Sequence, residues 1–205
     1  VLKRANVLDL LVHKGSTDFL NGTGTIATGS LRRKAQWLNK YPSHQVEDLR
    51  GNVNTRMQKL KDNNWNGAIF AAAGLERINL KPSEFINLDW MIPAPAQGAM
   101  LVVAMHDDDF SLDALAHLND VESEITTYIE RQFLRTLEGG CTAPIGAIAQ
   151  YSEHDDTLYF KGVLLSLDGK QKHEIEKTVP INQWKKMGFY AAQEILENGG
   201  DVLMK

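Results

Sequence analysis

The sequence predicts an α/β protein built of two units, and three features of the chain lead to that prediction. Strand-like and helix-like patterns alternate from residue 8 to about residue 92, which is typical of a parallel α/β layer. Residues 92–98 contain two prolines and a glycine, the clearest boundary signal in the chain. Beyond that boundary, a long amphipathic helix and three antiparallel strand patterns indicate a small α+β unit.

The first unit is predicted to alternate short strands with helices. Ser30 is a suitable N-cap for a helix that runs to about Tyr41 and buries an apolar stripe. The continuous apolar run at 67–72 is typical of a strand covered on both faces. The other elements predicted here are strands at 8–12, within 22–29 and at 45–49, and helices at 53–63 and 73–77.

The second unit is predicted to be an antiparallel sheet covered by helices. A helix from 121 to 137 shows one apolar face and ends before Gly139. Three strands and a covering helix are predicted at 145–151, 158–165, 173–179 and 184–195, with a hairpin through Asp168-Gly169.

The segment between the two units is predicted to lack a sheet of its own. It contains an apolar strand at 101–105 and a helix near 112–118, which together are too little for a domain. We expect this piece to pack against another part of the protein. The chain is therefore divided into residues 1–93, a hinge and return segment at 94–119, and residues 120–205.

Composition limits the classes of function. A net charge of −4 provides no overall basic field for recruiting nucleic acid. No apolar run approaches the roughly 20 residues that cross a bilayer. A single cysteine excludes an internal disulfide framework, as fits a reducing compartment. The histidines show no metal-ligand spacing and the acidic turn at 106–109 is expected to be exposed, so no metal site is predicted.

Five of the eight arginines lie between residues 32 and 77, which predicts an anion site. Arg32 and Arg33 fall in the first turn of a helix, where the macrodipole disfavours a cation by about 0.3–1 kcal/mol each. An anion between them and the helix end would offset that cost. The other three follow later strands, at the edge where open α/β sheets bind ligands: Arg50, Arg56 and Arg77. A set of solvated helix-end charges remains the alternative.

Cys141 is the only cysteine and follows two glycines that end a helix. The nearest charged residue is Glu138, which disfavours a thiolate, so an activated nucleophile is not indicated. A small buried apolar side chain is the alternative to a chemical role.

Five motifs occur in collinear order: TGSLRR at 28–33, LRGNVNTR at 49–56, AGLER at 73–77, PAPAQGA at 93–99 and LEGGC at 137–141. Together they resemble the porphobilinogen deaminase, or hydroxymethylbilane synthase, family across nearly the whole chain.

The resemblance implies a cytoplasmic transferase of heme and other porphyrin (tetrapyrrole) biosynthesis. It implies that Cys141 carries a dipyrromethane cofactor through a thioether, and that four porphobilinogens are joined on it with loss of ammonia to give hydroxymethylbilane. Each pyrrole carries an acetate and a propionate, so the growing oligopyrrole is a polyanion that arginines suit. The residues that the resemblance assigns to cofactor and substrate binding are Thr28, Ser30, Arg32, Arg33, Arg50, Gly51, Asn52, Arg56, Arg77, Gln97 and Gly98, the last two at a hinge beside the cleft.

One departure from the family is large. The family has three domains, and the N-terminal one, which supplies the catalytic aspartate, has no counterpart in this sequence. Asp9 does not stand at the corresponding motif, so no catalytic residue is assigned. We therefore expect a fragment that is inactive alone and in which Cys141 is unmodified if cofactor assembly needs the missing domain.

This fragment is expected to contain the family's periplasmic-binding-protein-like second domain, the return segment and the α+β third domain. The family enzyme is expected to be monomeric, whereas exposed surface on the fragment can drive self-association. No nucleic-acid or membrane partner is expected.

A non-enzymatic anion-binding module of the periplasmic-receptor type is the alternative function. It accounts for an arginine-lined crevice in residues 1–92. It does not account for Cys141 after paired glycines or for the appended α+β unit. A covalent adduct at Cys141 discriminates between the two.

Overall fold

The computed structural model describes residues 1–137 and 144–204 of the 205-residue chain. Cys141, the predicted attachment residue, lies outside the described residues. Within the described part of the chain, no helix is both long and apolar enough to cross a membrane.

The first unit alternates strands and helices, as the sequence predicts. A short 3-10 helix, Asp18–Asn21, follows the first strand. The elements are β1 (Asp9–His13), β2 (Thr25–Ala27), α1 (Leu31–Lys40), β3 (Gln45–Glu47), α2 (Val53–Asp62), β4 (Gly67–Ala71), α3 (Ala72–Arg77) and β5 (Phe85–Asn87).

The five strands form one mixed sheet in the order β3-β2-β4-β1-β5. β2 is parallel to β3 and β4, whereas β1 is antiparallel to β4 and β5. The prediction of a parallel layer is therefore wrong for β1. Apolar patterns report which faces are covered and carry no information on strand direction. In the fold, β1 begins where β4 ends, with Asp9 opposite Ala71.

The two central strands, β1 and β4, are covered on both faces, which confirms the prediction from the apolar run at 67–72. Leu10 and Phe70 pack on one face of the sheet, and Leu11 and Ile69 pack on the other against Trp37. Full burial of such a side chain contributes about 1.5–3 kcal/mol to folding. This rigid pair of strands fixes the position of Asp9 at the sheet edge.

The segment after the proline-rich boundary lies on the surface. Its helix is α4 (Asp109–Ala116), but residues 101–105 pair with no strand among the described residues, so the predicted strand is wrong in this structure. Leu101 and Val103 are 71% and 79% exposed. An apolar β-pattern becomes a strand only when it pairs with another strand, and these residues join neither of the two described sheets.

The second unit is a three-stranded antiparallel sheet with two helices packed against it, as predicted. Gly188 allows the two helices to touch, because a Cβ there would lie 2.1 Å from the carbonyl oxygen of Ile129. A 3-10 turn, Ile181–Lys186, precedes the last helix. The elements are α5 (Val121–Thr136), β6 (Ile145–Ser152), β7 (Thr157–Leu165), β8 (Lys172–Pro180) and α6 (Met187–Glu197).

The two units are joined by direct contacts. The β7–β8 hairpin touches α1, where Asn39 Nδ2 donates to the Gly169 carbonyl oxygen at 2.7 Å. The Ala147 amide donates to the Pro93 carbonyl oxygen at 2.9 Å. These contacts hold α1, which carries two of the predicted site residues, against the second unit.

Candidate functional site

The carboxyl ends of β2, β3 and β4 meet at one edge of the sheet, where the sequence predicts the ligand crevice. The loops after β2 and β3 lie side by side there. A Cβ on Gly29 would lie 2.5 Å from the Leu49 carbonyl oxygen, so the close approach of the two loops requires glycine. Because β1 is antiparallel, its first residue, Asp9, reaches the same edge.

Arg32 and Arg33 converge on Asp9. Asp9 Oδ2 accepts from Arg32 Nη2 at 2.8 Å, and Asp9 Oδ1 accepts from Arg33 Nε at 3.0 Å and lies 2.8 Å from Arg33 Nη2. The exposed fractions are 0% for Asp9, 5% for Arg32 and 9% for Arg33. The structure therefore places a carboxylate of the protein itself against the two arginines at the helix N-terminus.

The charge balance of this Asp9 cluster shifts the pKa of its members. Burial opposes ionisation of Asp9, but the guanidinium groups of Arg32 and Arg33 outweigh it and hold the pKa of this carboxyl below its ordinary value. Burial also lowers the pKa of Arg32, although Asp9 counteracts it. Sequence reasoning set Asp9 aside because it lacks the family motif. No local signal placed Asp9 at this edge of the sheet, because a parallel β1 would have begun at the opposite edge.

Gln97 connects the cluster to the proline-rich segment. Its Nε2 donates to Asp9 Oδ1 at 3.0 Å and to the Val7 carbonyl oxygen at 2.7 Å, and its Oε1 accepts from Arg32 Nη2 at 3.2 Å. Arg32 Nη1 donates to the Ile92 carbonyl oxygen at 2.6 Å. Arg32 Nε is buried without a hydrogen-bond partner among the described residues.

A second buried carboxylate, Glu130 of α5, lies on the other side of Gln97. Glu130 accepts from Arg4 Nη1 and Nη2 at 2.7 and 2.8 Å, from the Ala149 amide at 2.8 Å and from the Ala96 amide at 2.6 Å. Arg4 Nε donates to the Gln97 carbonyl oxygen at 2.9 Å. Burial raises the pKa of Glu130, which Arg4 and the two amides only partly counteract. Neither Arg4 nor Glu130 was singled out from the sequence.

Gly98 follows Gln97 in the chain and has a φ of 82°. A Cβ at this position would lie 2.6 Å from the Ala5 carbonyl oxygen. The Ala5 amide donates to the Gly98 carbonyl oxygen at 3.1 Å. The segment predicted to be a hinge is thus held on both sides by hydrogen bonds.

Thr28 and Ser30 support the start of α1. Ser30 caps the helix, since its side chain accepts from the Arg33 amide, and the Thr28 hydroxyl oxygen accepts from the Ser30 amide at 3.3 Å. Thr28 is 4% exposed. Their predicted contacts with a ligand stay a prediction.

The predicted residues after β3 are exposed. Arg50 has a side chain 83% exposed and pairs with Asp48, 58% exposed, at 2.7 Å. Asn52 caps α2 by accepting from the Thr55 amide at 2.9 Å. Gly51 has a φ of 117°, a conformation that favours glycine, and its carbonyl oxygen accepts from Arg56 Nε at 2.7 Å.

Arg77 is the last residue of α3 and is exposed, and within residues 1–137 and 144–204 it forms no ion pair. The end of α5, which leads towards Cys141, borders a cleft of about 600 Å³ lined in part by Arg131 and Arg135. The five predicted arginines therefore differ in burial: Arg32 and Arg33 are buried and paired with Asp9, Arg56 is half-buried, and Arg50 and Arg77 are exposed. Such a set suits an anion with several carboxylates.

Comparison with protein families gives two matches in chain order. Residues 1–113 match the model described as "Porphobilinogen deaminase, dipyromethane cofactor binding domain". Residues 124–197 match the "Porphobilinogen deaminase, C-terminal domain".

Individual relatives agree with these matches. The chain is 38% identical to the porphobilinogen deaminase of Brevibacillus brevis over 98% of this chain and 66% of that protein. It is 36% identical to a probable porphobilinogen deaminase of Methanococcoides burtonii over 100% of this chain and 67% of the relative. It is 40% identical to the Thermus thermophilus porphobilinogen deaminase over 87% of this chain and 60% of the relative. The chain thus spans about two thirds of the length of the curated relatives it matches.

Proposed function

Because the chain belongs to the porphobilinogen deaminase family, we propose that it serves tetrapyrrole biosynthesis as part of a hydroxymethylbilane synthase. The proposed reaction joins four porphobilinogens, with release of four ammonia molecules, on a dipyrromethane linked by a thioether to Cys141. Hydrolysis then releases hydroxymethylbilane. The two family matches, which cover residues 1–113 and 124–197, are the observation that carries this proposal.

The donors at the sheet edge fit a dipyrromethane. Each of its rings carries two carboxylates, and the candidate donors are the exposed guanidinium groups of Arg50 and Arg77 and the buried Nε of Arg32, which has no partner among the described residues. We propose that these groups, with Arg33 and Arg56, hold the cofactor. When bound, the cofactor supplies the pyrrole to which the first substrate is joined.

The protein's own residues would bind and orient in this reaction. Exposed Arg50 and Arg77, together with half-buried Arg56, would pair with acetate and propionate groups of successive rings through charge-assisted hydrogen bonds. The α1 N-terminus, capped by Ser30, adds a partial positive charge that favours a carboxylate nearby. Gln97 and Gly98 would set the position of the segment beside the cleft.

We further propose the finer organisation expected from the family. Residues 1–93 would be a periplasmic-binding-protein-like domain, 94–119 would complete a neighbouring domain, and 120–205 would carry the cofactor loop. Exposed Leu101 and Val103 agree with a surface meant to be covered. A polypeptide of these 205 residues alone would make no bilane, because the family's catalytic aspartate has no counterpart in it.

The test combines mass spectrometry with an activity assay. The 205 residues are fused to the N-terminal part of the Brevibacillus brevis relative that they do not match. The fusion is expected to gain the mass of a dipyrromethane and to convert porphobilinogen to bilane. The unfused chain and a Cys141→Ser fusion are expected to do neither.

A folded fusion that neither gains the adduct nor consumes porphobilinogen would overturn the proposal and favour the anion-binding module. Bilane production by the unfused 205 residues would overturn the predicted inactivity alone.

A further inference from the structure

The Asp9 cluster, defined as Asp9, Arg32 and Arg33, carries an unbalanced charge. Two guanidinium groups face one carboxylate, which leaves a net charge of +1. Within the described part of the chain, these three side chains form ion pairs only with one another. A buried charge without a counter-ion is costly, so the cluster is incomplete as it stands.

Neither guanidinium group can relieve this imbalance by moving into water. Arg32 and Arg33 are 5% and 9% exposed, and Arg32 is fixed by the Ile92 carbonyl oxygen and by Gln97. One donor, Arg32 Nε, is buried without a partner among the described residues. The Arg33 Nη1 group makes one long hydrogen bond, 3.3 Å to the Ile69 carbonyl oxygen. Donor capacity for one further anionic group is therefore left over.

The Arg4–Glu130 pair shows what a complete cluster looks like in the same molecule. One cation faces one carboxylate, and four donors reach the two carboxylate oxygens. Positive and negative charges are therefore equal at Glu130, whereas the cluster at Asp9 has one negative charge too few.

We propose that Asp9 is a specificity-determining residue, which cancels one of the two guanidinium charges so that the cluster accepts one singly charged carboxylate and disfavours a dianion. A doubly charged group would bring its second charge close to Asp9, where like charges repel. The identity of the natural ligand, but not the charge argument, rests on the proposed function. Under that function, one acetate or propionate of a pyrrole would bind at this cluster, and the other carboxylate of the same pyrrole would bind elsewhere.

The test uses simple anions, so it does not depend on deaminase activity. Thermal unfolding of the 205-residue protein is followed in sodium propionate and in sodium malonate, each against sodium chloride at equal ionic strength. For the wild type, propionate is expected to raise the midpoint of thermal unfolding, and malonate is expected to raise it by no more than propionate does. In Asp9→Asn the cluster has a net charge of +2, and the preference is expected to reverse.

The expected size follows from one unit of charge in a buried site. The ratio of the apparent Kd for malonate to that for propionate should fall by about tenfold or more in Asp9→Asn, equivalent to about 1.4 kcal/mol. Glu176→Gln is the matched control, because it removes a carboxylate from an exposed ion pair with Lys161 in the other unit. It should leave the ratio unchanged.

A second pair of variants keeps the test decisive if Asp9→Asn does not fold. Arg33→Gln makes the cluster neutral and should abolish the propionate response. Asp9→Asn combined with Arg33→Gln returns the charge to +1 and should restore the wild-type preference. A wild-type anion ranking in Asp9→Asn, or an undiminished propionate response in Arg33→Gln, would overturn the inference while leaving the bilane assay untouched.

Discussion

Two buried carboxylates, Asp9 and Glu130, lie on opposite sides of Gln97 and differ in the number of arginines that pair with them. Both are 0% exposed and both bind arginine. Asp9 faces two guanidinium groups and its pKa is lowered despite burial, whereas Glu130 faces one and burial raises its pKa. Two guanidinium groups outweigh the effect of burial on the pKa of Asp9, whereas one guanidinium group and two amides do not outweigh it at Glu130.

The Asp9 cluster therefore keeps a net positive charge, whereas the Arg4–Glu130 pair does not. At Glu130 the charges cancel, and the carboxylate ties the N-terminal segment, the linker and β6 together through Arg4, Ala96 and Ala149. At Asp9 one positive charge remains, at the edge of the sheet where β2, β3 and β4 end. The charge of the arginine at Glu130 is therefore cancelled, whereas that of the two arginines at Asp9 is cancelled only in part.

Truncation of each carboxylate is the largest expected effect and tests whether the two clusters differ. Asp9→Ala strands two cations whose side chains are 5% and 11% exposed, so we expect a loss near the upper end of about 3–5 kcal/mol in the free energy of unfolding. Glu130→Ala strands only one cation, Arg4, whose side chain is 10% exposed, so we expect a loss near the lower end of about 3–5 kcal/mol.

Urea denaturation measures both values, with Asp48→Ala at the exposed Arg50 pair as the control whose midpoint should not change. A smaller loss for Asp9→Ala than for Glu130→Ala would contradict the difference drawn between the clusters.

The opposite pKa shifts predict opposite pH dependences. Asp9 has a folded-state pKa below its ordinary 3.8, so the unfolded state binds the proton more tightly, and this stabilisation is present above 3.8 and lost as pH falls further. Glu130 has a folded-state pKa above its ordinary 4.5, so the folded state binds the proton more tightly, and stability falls as pH rises from 4.5 through the folded pKa.

Urea titrations across these pH ranges sharpen the contrast. Asp9→Asn should lose less stability than wild type below pH 3.8, and Glu130→Gln should lose less as pH rises above 4.5. Within either pH range, the slope of the free energy of unfolding against pH should differ between variant and wild type by at most about 1.4 kcal/mol per pH unit. Parallel profiles for the two variants would show that the carboxylates do not titrate differently.

The exposed arginines provide the smallest expected effect on stability. The ion pair of Arg50 with Asp48 is open to solvent, and such pairs contribute little to folding. Arg50→Ala and Arg77→Ala should keep the wild-type urea midpoint while lowering cofactor retention in the fusion protein, measured by intact mass. A drop in midpoint approaching that of Asp9→Ala would mean that these residues act in folding.

The sequence predicted the local elements well, because local patterns encode them. The helix capped at Ser30 and the apolar strand at 67–71 follow the prediction to within a residue or two at each end. The hairpin through Asp168-Gly169 also forms. The prediction of strand direction was wrong at β1, since burial patterns are the same in either direction. The predicted strand at 101–105 pairs with neither described sheet, because strand pairing depends on a partner that the local pattern does not specify.

At the site, Arg32 and Arg33, for which the sequence predicts an anionic ligand, pair in the structure with Asp9, a residue 23 positions before Arg32 in the chain. The ligand roles of all the predicted residues stay predictions, as does the attachment at Cys141.

The sequence by itself determined the kinds of element, the family and the charges available, because these depend on residue type and local order. Only the tertiary structure decided which charges meet. Ion pairing between Asp9 and the arginines, or between Arg4 and Glu130 126 positions away, depends on strand order and direction. Those arise from packing of the whole sheet, so the net charge left at its edge cannot be counted along the chain.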